Sequence, residues 1–462
     1  MTDGRDTVKI RLCVKDYIYV ASMLFGMFFG AGNLIFPIAL GSEAGSNVWV
    51  AILGLLVTGV GLPLLGVAAL GISHSGGLYE LSSKAGRPYG MFFTCLLYLT
   101  IGPFFAIPRC ATTSFTVGME RLLPSDGRMW LWLFLFSVLF FGAVLFFSLR
   151  PGKILTWIGK ILNPFFLLFL GILIVISLTS PSVRVADVAP APGYAEHPFF
   201  AGFLAGYNTM DALAGLAFGI VVVQVIRGLG VDDDTAVAGS TVRAGIFSCL
   251  FMGLIYVAVA IVGAESRGLF PPAENGGLAF SQIAEHYLGR VGLVSLADKV
   301  TLACLKTAVG LVTSCSETFS TLFPSGPSYR LWAVIFSAVS FLFANLGLNA
   351  IIAYAVPVLM FLYPLAVVLI LLSLFGRFFN NDGSVYRITI AFTLVGAVYD
   401  LLCALPDGVR AFLHLDTPLS AVGRILPFSA LGLGWICPAA LGLLIGLILH
   451  FIPKKKPAQG QP

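Results

Sequence analysis

Charged residues are scarce in this sequence. They make up 11% of its 462 residues, whereas hydrophobic residues make up 58%; an ordinary soluble domain carries about 25% charged residues. A water-soluble fold cannot hide so much apolar surface, because the area that each residue buries is limited. The composition therefore excludes a soluble protein and predicts one polytopic membrane domain over residues 1–462.

Signatures of several other protein classes are also missing. The eight cysteines form no CxxC pair, so we expect small buried hydrophobic residues, and neither a metal site nor a disulfide framework. No GxxxxGK[ST] phosphate loop is present and no loop is long enough to fold alone, which excludes a fused ATPase domain. The first apolar run, which begins near Tyr17, lacks an A-x-A cleavage site, so we interpret it as a membrane span.

Long apolar runs recur along the whole chain. A helix needs about 20 apolar residues to cross the hydrocarbon core of a bilayer. The sequence predicts an all-α membrane protein of about twelve transmembrane helices. These lie near residues 17–40, 48–72, 90–118, 129–149, 155–179, 199–226, 243–264, 292–321, 331–347, 350–375, 386–405 and 428–451.

The positive charges are distributed unevenly between the predicted loops. Most of the 27 Lys and Arg residues fall in segments on the same side of the membrane as the N-terminus. The tail lysines at 454–456 lie on that side too if the number of spans is even. Cytoplasmic loops carry an excess of Lys and Arg. We therefore predict a multi-pass protein of the cytoplasmic (inner) membrane with both termini in the cytoplasm.

The first span contains residues that weaken a helix. It reads Gly-Met-Phe-Phe-Gly-Ala-Gly-Asn-Leu-Ile-Phe-Pro over residues 26–37. In a helix interior Gly costs about 1 kcal/mol and Pro about 3 kcal/mol, and lipid offers no partner for the freed backbone groups. The cluster predicts an unwound segment that binds a ligand. The alternative is a packing face of two small residues four apart, Gly26 and Gly30, which does not account for Asn33.

The sixth span carries an ionisable residue, Asp211, near its middle. A charge at that depth costs about 3 kcal/mol on insertion scales and marks a functional site by default. The alternative is that Asp211 neutralises a buried Arg109 or Lys306.

Interruptions in spans one and six indicate two repeats of five helices. The repeats would cover about 17–179 and 199–375, and two further helices would follow at about 386–451. Paired interruptions in two halves of a membrane protein are a pointer to the binding site of a transporter.

The third and eighth spans hold the other candidate residues. Residues 101–109 place two prolines around a pair of phenylalanines, which would form the wall of an apolar pocket or would face lipid. Span eight places Thr313 and Ser314 near Gly310, and these oxygen atoms suit sodium, although such hydroxyls also bond back to the helix. Lys306 shares their face, because it lies four and seven residues before Gly310 and Thr313.

Four stretches resemble the branched-chain amino acid:cation symporter family. They are FFGAGNLIFP at 28–37, IGPFFAIPR at 101–109, PGKILTWIGK at 151–160 and TMDAL at 209–213. The resemblance covers essentially the whole chain. It implies import of leucine, isoleucine and valine with sodium by alternating access. It also implies the five-plus-five inverted-repeat fold of the leucine transporter, with helices one and six broken.

The resemblance further implies a binding site. The amides of Ala31 and Gly32 would meet the substrate carboxylate, and Thr209 with its neighbouring carbonyls would receive the ammonium. The substrate-binding residues would be Ala31, Gly32, Asn33, Ile101, Phe104, Tyr207, Thr209 and Asp211. The ion-binding residues, over two sodium sites, would be Gly26, Phe29, Asn33, Gly310, Thr313 and Ser314. The candidates for coupling are Lys306 and Arg109.

Several alternatives stay open at this point. A cation at Lys306 would disfavour sodium beside it, which leaves room for proton coupling or a single-ion mechanism. A transporter of the same fold with another amino acid substrate is the runner-up, and a channel is a further alternative. An enzyme is not expected, because the five histidines lie near span ends or in loops. We expect no cofactor besides transported sodium, and no partner besides the amino acid and membrane lipid, hence no nucleic acid and no obligate protein partner.

Overall fold

The computed structural model describes residues 12–30, 32–73, 75–123, 127–150, 153–231 and 233–452, without the side chains of residues 27, 153–164 and 234. This described part of the chain folds into helices and contains no strand. Seven of its helical stretches are long and apolar enough to cross a membrane, and three shorter apolar helices accompany them. The predicted all-α, multi-span fold class is confirmed.

The helices fall close to the predicted spans. Span one consists of Val14–Phe28 and Gly32–Ala44, and span two runs from Val48–Leu56 through Val57–Gly61 into Leu62–Ile72. Span three runs from Arg87–Leu99 through Thr100–Phe104 into Ala106–Gly118, and spans four and five are Met129–Leu149 and Lys153–Thr179. Span six consists of Pro198–Ala205, Gly206–Thr209 and Asp211–Gly228. Spans seven to twelve are Asp234–Glu265, the part of Gly276–Leu322 that follows a kink at Gly289, Tyr329–Ala344, Leu348–Leu374, Gly383–Cys403 and Ile436–Phe451. Short helices in the connections are Leu78–Ser83, Pro192–Ala195, Asp407–Phe412 and Asp416–Gly423.

Span twelve starts later than the sequence suggests. The pattern predicts a helix from residue 428, but the helix begins at Ile436. The residues before it form a short 3-10 turn and a loop, because the amides of Gly434 and Trp435 donate hydrogen bonds to the buried carboxylate of Asp400 in span eleven (3.1 and 3.2 Å). These amides hold the loop against span eleven and so delay the start of the last helix.

Glycines bring the second half of span one, Gly32–Ala44, against span seven; we call it the outer half and Val14–Phe28 the inner half, after the predicted orientation. A Cβ atom at Gly41 would overlap the backbone of Ala260, and one at Gly263 would overlap the carbonyl of Ile38. Only glycine permits such a close approach of two backbones. Gly276, which begins the helix leading into span eight, lies against the carbonyl of Ile35 in the same way. We call these contacts of Gly41, Gly263 and Gly276 the glycine seam.

The two halves of span one have different neighbours. The outer half packs against spans seven and eight, whereas the inner half, Val14–Phe28, packs mainly against spans six and seven. The outer half is almost fully buried, and the inner half alternates buried and exposed positions. The break between them therefore separates a fixed segment from a less enclosed one.

Candidate functional site

A cavity of about 60 Å³ lies where the breaks in spans one and six face spans three and eight. Its lining consists of Phe28, Gly30, Gly32, Asn33, Ile101, Ala106, Arg109, Cys110, Thr209, Met210, Asp211, Ala214, Phe218, Thr307 and Leu311. Six of the residues singled out from the sequence meet here, namely Gly32, Asn33, Ile101, Arg109, Thr209 and Asp211. The cavity thus joins two interrupted helices to an apolar wall.

The break in span one is stabilised by the side chain of Asn33. The helix stops at Phe28, and Phe29 has extended backbone angles. The backbone amide of Gly30 donates to Oδ1 of Asn33 (2.9 Å), and the backbone amide of Asn33 donates to the carbonyl of Gly30 (3.2 Å). Ala31, the predicted carboxylate ligand, lies outside the described residues. Asn33 therefore supplies a hydrogen bond that the interrupted helix lacks.

The break in span six has a different construction. Residues Gly206–Thr209 form a 3-10 turn, and Met210 takes a left-handed conformation with φ of 62° before a new helix starts at Asp211. A non-glycine residue with positive φ is uncommon and marks strain or function. The Thr209 hydroxyl donates to the carbonyl of Gly206 (2.9 Å) and accepts from the amide of Asp211 (3.3 Å). The turn thereby points the carbonyls of residues 208 and 209 toward span three.

Three buried side chains from spans one, six and seven meet at Asp211. Asn33 Nδ2 donates to Oδ2 of Asp211 (2.7 Å), and the Tyr256 hydroxyl donates to the same oxygen (3.0 Å). Asn33 Nδ2 also donates to the Tyr256 hydroxyl. The exposed fractions are 2% for Asn33, 3% for Asp211 and 0% for Tyr256. The carboxylate therefore has neutral hydrogen-bond donors as its described partners.

Tyr256 is the main functional candidate that the sequence did not reveal. It stands in span seven within a run of apolar residues, where its hydroxyl is the one polar side-chain group between residues 250 and 260. A lone hydroxyl in an apolar span is a weak signal, because tyrosines also anchor helices at membrane interfaces. Its role becomes visible only when span seven lies beside both breaks.

Arg109 is turned into the cavity and does not extend to the surface. Its exposed fraction is 6%. Its Nη1 donates to the carbonyl of Asn208 (2.6 Å), Nη2 donates to the carbonyl of Thr209 (3.4 Å), and the guanidinium lies 5.1 Å from the ring centre of Phe36. Among the ion pairs formed by described residues, none joins Asp211 to Arg109 or Lys306. The arginine thus bridges span three to the break in span six through neutral groups.

The predicted aromatic contacts Phe104 and Tyr207 lie outside the cavity lining. Phe104 packs on Phe343 of span nine, with ring centres 5.4 Å apart. Tyr207 stacks on Tyr363 of span ten at 4.0 Å. The apolar wall of the cavity comes from other side chains, namely Ile101, Ala106, Ala214, Phe218 and Leu311.

Span eight presents a different side to the cavity than the one predicted to hold sodium. Thr307 and Leu311 line the cavity. Gly310 is exposed, Lys306, Thr313 and Ser314 are half-buried, and a Cβ atom at Gly310 would meet no atom within 4 Å. Gly26 in the inner half and Phe29 at the break, the partners expected from span one, are half-buried, and the inner half packs mainly against spans six and seven. The second sodium site stays a prediction.

A family model described as "Branched-chain amino acid transport protein" matches residues 13–452 of the chain. The chain belongs to this family. The branched-chain amino acid permease BrnQ of Lactobacillus delbrueckii subsp. lactis is 49% identical over 449 residues, which cover 97% of this chain and 100% of that protein. The permease BraB of Bacillus subtilis (strain 168) is 40% identical over 446 residues, covering 96% and 97%. The family resemblance carried by the sequence motifs is confirmed.

Solved transporters share the fold. Mhp1, a nucleobase-cation-symport-1 family transporter in a closed conformation with bromovinylhydantoin bound, matches with a TM-score of 0.60 over 94% of this chain and 91% of its own, at 14% identity. MhsT in complex with L-phenylalanine matches with a TM-score of 0.55 over 96% and 99%, at 17% identity. Both have the leucine-transporter fold, which confirms the predicted five-plus-five repeat with helices one and six broken.

The family assignment also confirms that the chain is a transporter and not an enzyme, because its relatives are permeases. The described residues contain no group of three or more His, Cys, Asp or Glu side chains able to hold a metal ion. The cavity combines backbone groups of two interrupted helices, one buried carboxylate, one buried guanidinium and an apolar wall.

Proposed function

We propose that this chain is a symporter of the cytoplasmic membrane. It would import leucine, isoleucine and valine together with sodium by alternating access, and both termini would lie in the cytoplasm. The observation that carries the proposal is Asp211: a buried carboxylate at the junction of two broken spans, bonded to Asn33 and Tyr256 and in no ion pair with any described cation. A desolvated carboxylate of this kind is stabilised by a bound cation.

The cavity supports an aliphatic amino acid as the substrate. The broken ends of spans one and six offer backbone groups for a carboxylate and an ammonium, which is how helix interruptions serve transporters. Ile101, Phe218 and Leu311 supply apolar surface between those ends. Burying a Leu, Ile or Val side chain against such a wall contributes about 1.5–3 kcal/mol, whereas a charged side chain there would lose its hydration. The wall therefore favours branched aliphatic side chains over those of lysine or glutamate.

Hard oxygen atoms around Asp211 support a coupling cation. The Asp211 carboxylate and the Thr209 hydroxyl lie together at the break in span six, and the Asn33 amide oxygen, which accepts from the amide of Gly30, belongs to the break in span one. Alkali cations, like other hard cations, prefer such oxygen ligands. A cation bound there would hold the two breaks together and shape the substrate site. A proton on Asp211 is the alternative coupling ion, because it also neutralises the carboxylate.

The packing of span one supports an inner gate. The glycine seam fixes the outer half, and the inner half is the less enclosed segment. Opening toward the cytoplasm would then need movement of Val14–Phe28. Alternating access is largely the rocking or gating of one repeat or bundle against the other around a fixed site, and the movement of the inner segment would be one part of it.

The test is uptake of labelled leucine into proteoliposomes, with sodium and proton gradients imposed separately. We expect accumulation driven by sodium, competition by isoleucine and valine, and weak competition by alanine, lysine and glutamate. Accumulation under the proton gradient alone would mean that protons, and not sodium ions, are the coupling ions. Absence of uptake under both gradients would reject the proposed function, and a steady ion current without saturable leucine uptake would indicate a channel.

A further inference from the structure

Arg109 owes its position to a kink in span three. Gly102 has non-helical backbone angles (φ −95°, ψ −121°), and a new helix starts at Ala106 after Phe105. Arg109 therefore stands in the first turn of this outer segment, and its side chain reaches the break in span six. The kink thus comes directly before the helical turn that carries the arginine.

The guanidinium has more hydrogen-bonding capacity than its partners use. An arginine side chain carries five N–H donors, and two of them account for the bonds to the carbonyls of Asn208 and Thr209. Its hydrogen-bond partners are two neutral carbonyls, and the ring of Phe36 lies beside it. The Asp211 carboxylate lines the same cavity and acts on the guanidinium electrostatically, but the two form no ion pair among the described residues. A guanidinium with an exposed fraction of only 6% and no anion in direct contact attracts an anion strongly, because water no longer screens its charge.

The same guanidinium lies against the break in span one. A Cβ atom at Gly32 would come 2.9 Å from Nη2 of Arg109. The backbone at Gly32 begins the outer helix, whose first turn and dipole favour a negative group. An anion at Gly32 would therefore touch both the helix start and the arginine.

We propose that Arg109 is a substrate-recognition residue that exchanges partners during binding. In this structure it occupies the carbonyls of Asn208 and Thr209, the groups suited to a substrate ammonium. The arriving ammonium takes those carbonyls, and the guanidinium turns a short distance onto the substrate carboxylate at Gly32. This inference rests on the proposed function, and it adds the residue that recognises the carboxylate of the substrate.

The proposed exchange of partners makes both charged groups of the substrate necessary for tight binding. Two cations cannot share the carbonyls of residues 208 and 209, because they repel each other in a desolvated site. An amine without a carboxylate displaces Arg109 and leaves the guanidinium without an anion. A carboxylate without an ammonium leaves the arginine on its carbonyls. Only a zwitterion satisfies all the groups at once, so Arg109 makes the site specific for α-amino acids.

The experiment compares the affinities of purified protein in nanodiscs for leucine and for 3-methylbutylamine, which lacks the carboxylate. The readout is the ratio of the two affinities at fixed sodium concentration and pH. In Arg109→Gln we expect this preference for leucine to fall by about 30-fold or more, as for other buried charge partners. The amine is expected to bind as well as in the wild type or more tightly, since its competitor for the carbonyls is gone.

Two further variants complete the test. Arg109→Lys keeps a charge but not the planar fork, so it should retain part of the preference for leucine; where Arg109→Gln does not fold, this variant carries the comparison. Arg121→Gln is the matched control, because Arg121 pairs with Glu285 on the outer side, away from the cavity, and it should leave the ratio unchanged.

The outcomes separate the two proposals. An unchanged ratio in the Arg109 variants overturns the inference, even if both affinities fall, because equal losses mean that the arginine only supports the structure. Wild-type protein that binds no leucine rejects the proposed function itself.

Discussion

Asn33 and Asp211, which are 178 positions apart in the sequence, are joined by a hydrogen bond of 2.7 Å between Nδ2 and Oδ2. Each belongs to the break of its own span, so this bond connects the two interruptions directly. Tyr256 of span seven donates to the same carboxylate oxygen. A change of charge or occupancy at Asp211 is therefore felt by both broken helices at once.

Replacement of Asp211 by asparagine should abolish coupled transport. The amide is nearly the same size but cannot neutralise a cation, so we expect leucine uptake to fall by about 30-fold or more. The measurement is initial uptake into proteoliposomes, normalised to the amount of protein in the membrane. Asp187→Asn, at an exposed acid of an outer loop, is the control and should transport normally. Full sodium-driven uptake by Asp211→Asn would contradict the assignment of this carboxylate.

Removal of the Tyr256 hydroxyl should tighten binding of the coupling cation. This hydroxyl donates to Asp211 and so competes with a cation for the carboxylate oxygen. A hydrogen bond to a charged group contributes about 1.5–3 kcal/mol, and we expect Tyr256→Phe to lower the half-saturating sodium concentration by roughly tenfold or more. Because the cation is then released more slowly, maximal uptake should fall as well.

Tyr386→Phe is the matched control for that experiment. Tyr386 is also a fully buried tyrosine, but its hydroxyl donates to the carbonyl of Leu372 (3.1 Å) and the residue is not part of the cavity lining. Its removal should leave the sodium dependence unchanged. Equal shifts in both variants would mean that the effect comes from altered packing and not from the bond to Asp211.

The glycines of span one should differ in their tolerance of a methyl group. At Gly32 a Cβ atom would lie 2.9 Å from Arg109 and 3.4 Å from the Phe36 ring, whereas at Gly30 the nearest atom would be 3.6 Å away. Overpacking costs about 1–3 kcal/mol, so Gly32→Ala should reduce uptake roughly tenfold and Gly32→Val should abolish it, with membrane insertion intact.

Gly30→Ala should cause a smaller loss, and Gly142→Ala, where a Cβ atom meets nothing within 4 Å, should cause none. The comparison needs only uptake rates and the amount of each variant in the membrane. Normal transport by Gly32→Val would favour the interpretation of these glycines as a simple packing face.

Lys306 should prove dispensable for sodium coupling. It is half-buried, and the neighbouring Thr307, not the lysine, faces the cavity. We expect strict sodium dependence of uptake at fixed pH in the wild type and in Lys306→Thr. The measurement replaces sodium by choline. Full activity in choline that rises as the outside pH falls would overturn the sodium assignment and would make the lysine or Asp211 the proton carrier.

The sequence predicted the arrangement of the spans because that arrangement depends on local composition. Long apolar runs require helices in lipid whatever their neighbours are, so the runs gave spans close to those observed. The breaks were also visible, since glycine, asparagine and proline in span one and Asp211 in span six are expensive in an apolar helix.

The details of the site were not predictable in the same way. The rotation of span eight, which presents Thr307 instead of Gly310 to the cavity, depends on packing and on the upstream kink at Gly289. The left-handed Met210 has no local signal, because methionine does not favour positive φ. Tyr256 meets Asn33, 223 positions away, and Asp211, 45 positions away. Arg109 meets the backbone of Asn208, 99 positions away, so neither set of partners has a local pattern in the sequence.

The glycine seam has a mechanical consequence. Because no side chain separates Gly41 and Gly263 from the facing backbones, the outer half of span one cannot slide along span seven without a collision of main-chain atoms. The outer half, span seven and the start of the helix at Gly276 must travel as one rigid block. The helix of the inner segment ends at Phe28, at the edge of this block and beside the cavity, so we expect the inner segment to change its angle to the block there.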